Sequence, residues 1–127
     1  MVLVHGYLGG SSQWLAEIER LRLIFDVIAV DLAGYGDARH LTSPKSIAAH
    51  AQSVLKTLDQ LGIQNFHLLG HSMGGKVAMQ VAKQAPHRVS KLVVADIAPV
   101  AYPHARHKNV FAGLNATLAT PPQSRSE

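Results

Sequence analysis

Short apolar runs alternate along this chain with segments of helical repeat, and that alternation predicts its architecture. Four apolar segments read as strands: residues 1–4, 25–30, 66–69 and 91–95. The first, residues 1–4, is too short to alternate, as expected in a parallel sheet covered on both sides. Between them the apolar positions recur every three or four residues. Trp14, Leu15, Ile18 and Leu21 mark a first helix, for which Ser11 or Ser12 supplies the cap. Ile47, Ala51, Val54, Leu55, Leu58 and Leu61 line a second, opened by Ser43-Pro44 and closed by Gly62. A third runs from Met73 to about Ala85 and is stopped by Pro86. Strands separated by helices predict βαβ units, hence an α/β fold with a parallel sheet of about four strands.

After Pro99 the pattern changes. Residues 100–107 are basic and rich in histidine, and Val110, Phe111, Leu114 and Leu118 then predict one further helix with a narrow apolar stripe. The polar run from Thr120 to Glu127 reads as a frayed tail. The chain thus divides into a core, residues 1–99, and a following segment, residues 100–127, with no internal repeat and no linker.

The densest chemistry lies where the third strand meets the third helix. Gly70-His71-Ser72-Met73-Gly74 fits the G-x-S-x-G nucleophile elbow, preceded by an apolar run and followed by a helical one. Such a turn holds a serine hydroxyl proud of the sheet at a helix N-terminus, where developing negative charge is favoured. The same residues compete for a second reading, because Gly70 to Lys76 also spells the opening of a phosphate-binding G-x-x-x-x-G-K loop. That loop needs Ser or Thr next to hold magnesium, and this chain has Val77. Nucleotide binding therefore ranks far behind the elbow.

Composition narrows the classes further. At 127 residues, 47% hydrophobic and 16% charged, the chain has room for one globular core. The net charge of +4 is scattered along the sequence, which speaks for solubility and against a nucleic-acid partner. No apolar run reaches bilayer length and no signal pattern opens the chain, so no membrane association is expected and a cytoplasmic location is. With no cysteine there is no disulfide or thiolate chemistry. The eight histidines show no metal-ligand spacing, so neither a metal nor another cofactor is expected.

Three strand-end loops, His5-Gly6-Tyr7, Asp31-x-x-Gly34-x-Gly36 and Gly70-His71-Ser72-Met73-Gly74-Gly75, together resemble the α/β-hydrolase superfamily. The tract from Val94 to Tyr102 resembles, within it, the YbfF-type bacterial esterases, which act on acyl esters including fatty-acyl thioesters. The likeness runs from Met1 to about Asn115. It implies a partial α/β-hydrolase fold that begins at the family's third strand and stops inside its cap segment. The family's late catalytic histidine is then missing, so the sequence looks like the middle of an enzyme.

On this resemblance Ser72 is the nucleophile and forms an acyl-enzyme, while the amide of Met73 and that of Tyr7 bind the oxyanion. Asp96 matches the acid, which in YbfF-like enzymes follows the sixth strand. Asp31 reads instead as a turn carboxylate that bonds the amides of Ala33 and Gly34. No histidine is expected to act as base: His71 packs beside the elbow, His5 fixes its own loop, and His104 and His107 belong to the cap segment. Lys76 reads as a solvated or snorkelling helix residue and Trp14 as core; Val110, Phe111, Leu114 and Leu118 read as one wall of an acyl pocket if the cap is complete and as an exposed apolar stripe without it. The implied partner is a small-molecule ester or thioester. The competing reading is an inactive hydrolase-fold fragment that binds acyl ligands, or associates with other chains through exposed sheet edges.

Overall fold

The computed structural model describes residues 1–119; the expected tail from Thr120 to Glu127 lies outside them. Strands β1 (Val2–Val4), β2 (Ile28–Val30), β3 (Phe66–His71) and β4 (Val89–Ala95) form one sheet in the order β2-β1-β3-β4, every pair parallel. Helices α1 (Leu15–Leu21), α2 (Ile47–Gln60), α3 (Met73–Gln84) and α4 (Lys108–Ala119) separate and follow them. The expected fold class and strand number hold.

Alternation along β3 shows how the sheet is covered. Phe66, Leu68 and Gly70 are buried while His67, Leu69 and His71 are half-buried. The first set shares a face with Val2, Val4 and Val30, and packs with Ala51, Val54 and Leu58 of α2 and Val77, Ala78 and Val81 of α3 in a single core. Val2, Val4, Leu58, Leu68, Val77 and Val81 are fully buried, each contributing about 1.5–3 kcal/mol of transfer free energy. The opposite face is thinner; there Trp14 packs edge-to-face on His71 and Phe25 on His67.

β4 is less covered than β1: Leu92 and Val93 are 40% and 48% exposed. Its outer edge has no neighbour among the described residues, so the burial its composition anticipates is not realised.

Local chemistry moves several predicted boundaries. Ser11 and Ser12 give no side-chain cap; Ser11–Trp14 is a 3₁₀ turn leading into α1, and Ser11 bonds Asp31 instead. α2 starts later than Ser43-Pro44, at Ile47, because the Ser46 hydroxyl accepts the Ala49 N–H at 3.1 Å. Its end is as expected: Gly62, at φ +70°, donates to Asp59 and Ile63 donates to Leu58, which together make a Schellman closure. Arg88 then ties this closure to the sheet. Its guanidinium donates to the carbonyls of Ile63 (2.6 Å) and Gln64 (3.1 Å) and pairs with Asp59 at 2.8 Å.

Asp31 is structural, as expected, but its partners are not Ala33 and Gly34. It accepts from the Ser11 N–H (2.5 Å), the Ser11 hydroxyl (3.2 Å) and the Asp37 N–H (3.1 Å), bridging the loops after β1 and β2. Burial works to raise its pKa, but the Ser11 and Asp37 hydrogen bonds outweigh it and hold the carboxyl below the usual value. Because the folded pKa is depressed, this contribution is present above about pH 3.9 and lost as pH falls through the folded value. Asp31→Asn is expected to cost about 1 kcal/mol at pH 7, a small figure because solvent screens the site, and to cost less at pH 3. Urea unfolding at the two pH values measures this; an equal loss at both would remove the carboxylate from the account.

Candidate active site

The order β2-β1-β3-β4 reverses direction between β1 and β3, and in open α/β sheets ligands bind beyond the strand C-termini at such a switch point. Val4 pairs with Gly70, so the loop from His5 and the elbow at Ser72 leave the sheet side by side. His71 pairs with Ala95, which brings Asp96 out beside Ser72. Register alone gathers the His5 loop, the elbow and the turn at Asp96.

Among the described residues only Leu8, Ser72 and Asp96 are non-glycine residues with positive φ, at +58°, +52° and +58°. Each lies just past the C-terminal end of β1, β3 or β4. Such conformations are costly for side-chain-bearing residues and persist only where the surroundings enforce them. At Ser72 the enforcement is visible. Its N–H donates to the Ala95 carbonyl at 2.9 Å, while its own carbonyl accepts from Gly75 at 2.9 Å and begins α3. A Cβ on Gly70 would lie 2.6 Å from the Gly74 carbonyl carbon, and one on Gly74 would lie 2.7 Å from that of Val4. Helix α3 can therefore meet the sheet this closely only with hydrogen at both positions.

A cavity of about 500 Å³ opens over the elbow, walled by Tyr7, Leu8, Met73, Ile97, Val110 and Phe111. Ser72 lies on its floor, and Lys76, Tyr102 and His107 complete it. Three of the four predicted site residues, Ser72, Met73 and Tyr7, thus share one cavity. Asp96 does not line it; its carboxylate is 84% exposed, and Oδ2 stands 3.8 Å from His71 Nε2. Of the predicted acyl wall, Val110 and Phe111 face the cavity, whereas Leu114 and Leu118 are not among its lining residues.

His5 fixes its loop as expected. Fully buried, its Nε2 accepts the Leu32 N–H at 3.0 Å, which leaves the proton on Nδ1 to donate to the Gly6 carbonyl at 2.8 Å. Beside it Tyr35 makes ring contacts with His5, Tyr7 and His50, and its hydroxyl reaches Met73 Sδ at 3.9 Å. Burial, then the neighbouring Tyr7, raises the Tyr35 pKa; burial, then His5, lowers that of His50.

Lys76 departs from the solvated or snorkelling side chain read from the sequence, because its charged end is held by protein rather than by solvent. Its ammonium donates to the carbonyls of Ala98 and Val100 and sits 4.9 Å from the Tyr102 ring centroid. Arg106 also packs on that ring, at 4.1 Å, and the Tyr102 hydroxyl accepts the Ala98 N–H at 2.9 Å. Helical spacing gave no sign of this, because every partner lies more than 20 residues away. His107, read from the sequence as a cap-segment residue without a role, is on the cavity wall, edge-to-face with Tyr102 and Phe111. No cluster able to hold a metal occurs among the described residues, nor is any helix there long and apolar enough to cross a membrane.

Comparison with known proteins agrees with this geometry. The family model described as the α/β hydrolase fold matches residues 1–115. Esterase YbfF of Escherichia coli is 36% identical, with all of this chain covering 50% of that protein. The dihydrolipoyllysine-residue acetyltransferase component of the acetoin cleaving system of Cupriavidus necator is 37% identical over 89% of the chain and 30% of that protein. Among solved structures, a marine microorganism esterase superposes with TM-score 0.84 at 26% identity, covering 99% of this chain and 48% of the other. The chain spans half or less of the length of each of these proteins.

Two outcomes follow from the packing. Gly74→Ala is expected to lose about 1–3 kcal/mol in urea unfolding, since the obstructing atoms are backbone and cannot rotate away. A neutral result would mean that α3 does not press on β1 this closely. His50, whose folded pKa is depressed, contributes stability above about pH 6.5 that is lost as pH falls through its folded value. The drop in urea midpoint between pH 7.5 and pH 5.5 should therefore shrink in His50→Gln; an unchanged drop would exclude His50 as its source.

Proposed function

This chain belongs to the α/β-hydrolase fold family, and on that premise we propose that it carries the nucleophile, oxyanion-binding amides and acid of a serine-dependent hydrolase of carboxylic esters or acyl thioesters. The observation that carries this reading is the backbone of Ser72, held at φ +52° between strand and helix on the floor of an apolar cavity. In this reading Ser72 Oγ attacks the acyl carbonyl and gives up its proton to a base. The amides of Tyr7 and Met73 receive the oxyanion, each worth about 2.7–4 kcal/mol of barrier. Collapse expels the alcohol or thiol, which takes a proton, and water then releases the acid from the acyl-enzyme. Asp96 is the acid that would orient the base. Residues 1–99 form the core of the enzyme, and the segment from Val100 begins its cap. The esterase names of two relatives support the ester class, and the apolar walls suit an acyl chain.

A second reading, binding or single reaction without turnover, is favoured by the state of the imidazoles. Both ring nitrogens of His5 are engaged, and His71 Nδ1 faces the Gln13 amide. Neither takes the Ser72 proton in this arrangement, and no hydrogen bond joins Ser72 Oγ to an imidazole among the described residues, although His107 shares its cavity. The 127-residue chain is accordingly expected to hydrolyse p-nitrophenyl butyrate negligibly, while a fluorophosphonate labels Ser72 slowly and faster with added imidazole. Ser72→Ala should abolish the label. Labelling that survives Ser72→Ala would end the nucleophile assignment. Rapid turnover lost in both Ser72→Ala and His107→Ala would instead make His107 the base.

A further inference from the structure

One polar thread beside the cavity has so far served only to show what His71 does not do. Gln13 follows the loop after β1, and its side chain lies between that loop and the elbow. Its Oε1 accepts the Gly6 N–H at 3.3 Å, and its Nε2 stands 3.0 Å from His71 Nδ1. On the other side of the same ring, His71 Nε2 faces the Asp96 carboxylate at 3.8 Å. The edge-to-face contact with Trp14, centroids 6.4 Å apart, helps fix the ring plane. The ring also lies against the Gly6 backbone, with Nδ1 only 3.1 Å from where a Cβ would stand.

The direction of every bond in this thread is determined. A backbone N–H can only donate, so the Gly6 amide selects the oxygen end of Gln13. That leaves the NH₂ end facing His71, and an NH₂ group can only donate as well. His71 Nδ1 must therefore present its lone pair, and a neutral imidazole then carries its proton on Nε2. That proton faces the Asp96 carboxylate.

We propose that Gln13 and His71 form a positioning relay in which Gln13 ties the loop bearing the Tyr7 amide to His71 and fixes that ring as the Nε2–H tautomer, with its N–H turned toward the Asp96 carboxylate. This deepens the reading given under Proposed function and rests on it for the roles of Tyr7 and Asp96. His71 touches neither an acyl group nor the proton of Ser72 in this scheme. Its Nδ1 is engaged by Gln13 and its Nε2 is turned toward the Asp96 carboxylate, 3.8 Å away, which explains how a histidine adjacent to the nucleophile can fail to be its base. The relay also accounts for a polar, exposed side chain at Gln13 beside the buried Trp14. The residue is there to read the loop on one side and the ring on the other.

The test is the protonation pattern of His71, followed by long-range proton–nitrogen correlation NMR on the 127-residue chain labelled at histidine nitrogens. The spectra are recorded at pH 8, above the ordinary histidine range, and the signal is assigned with His71→Asn. The wild type is expected to show the proton on Nε2 and a bare Nδ1. Gln13→Glu replaces the donor by an acceptor and should move a proton onto Nδ1. Ser72→Ala should leave the pattern unchanged. A wild-type His71 protonated at Nδ1, or a pattern indifferent to Gln13→Glu in a variant whose circular dichroism matches wild type, overturns the relay. This readout does not involve acyl chemistry. Failure of a fluorophosphonate to label wild-type Ser72 would sink the hydrolase reading, while the tautomer decides the relay separately.

Discussion

The site depends on a single steric constraint: the chain reverses from β3 into α3 within one residue, at a backbone conformation that a serine adopts only under compulsion. The compulsion comes from both sides. The Ala95 carbonyl holds the Ser72 N–H in line with the sheet, while the Gly75 and Lys76 amides take the Ser72 carbonyl into the helix. Between these grips the bare backbones of Gly70 and Gly74 let α3 settle against the sheet. The whole core under α2 and α3 is built on that close approach, because Val77, Ala78 and Val81 reach it only when the first turn of α3 is so placed.

Around this point the parallel sheet does the gathering. Loops that are 65 or more residues apart in sequence, at Tyr7 and Ser72, become neighbours because β1 and β3 pair directly with matching ends. Asp31 and His5 then brace the rim from below. One carboxylate takes two amides and a hydroxyl, and one imidazole spans Gly6 and Leu32. These buried or half-buried polar groups carry no reaction in the account given above. They supply the rigidity that a strained rim needs.

The sequence revealed the parts of the structure that obey short-range rules. The spacing of Val54, Leu58 and Leu61 signals α2, Gly62 its closure, and the G-x-S-x-G run signals the elbow, because each is a local periodicity or a local steric demand. Boundaries failed where hydroxyls had a choice of partners. Ser11 prefers the Asp31 carboxylate to a helix amide, and Ser46 rather than Ser43 captures α2. Long-range polar contacts left no trace in spacing. Gln13 meets His71 across 58 positions, Arg88 meets Ile63 across 25, and Lys76 meets Val100 across 24. None of those pairings can be found without the fold, since many other lysines or glutamines along the chain have the same local setting. The exposure of β4 is different: an apolar strand looks the same in sequence whether or not a neighbour covers it, and the exposed edge follows only from the resemblance to a larger sheet.

The grip of Lys76 has a mechanical consequence. Its ammonium clasps two carbonyls of the segment after β4, and the Tyr102 ring is held between it and Arg106. As long as those contacts persist, residues 98–102 travel with the nucleophile's helix as one body. Arg106 and His107 pack on that same Tyr102 ring, so the clasp reaches the start of α4 and ties the apolar wall to the helix that carries the nucleophile.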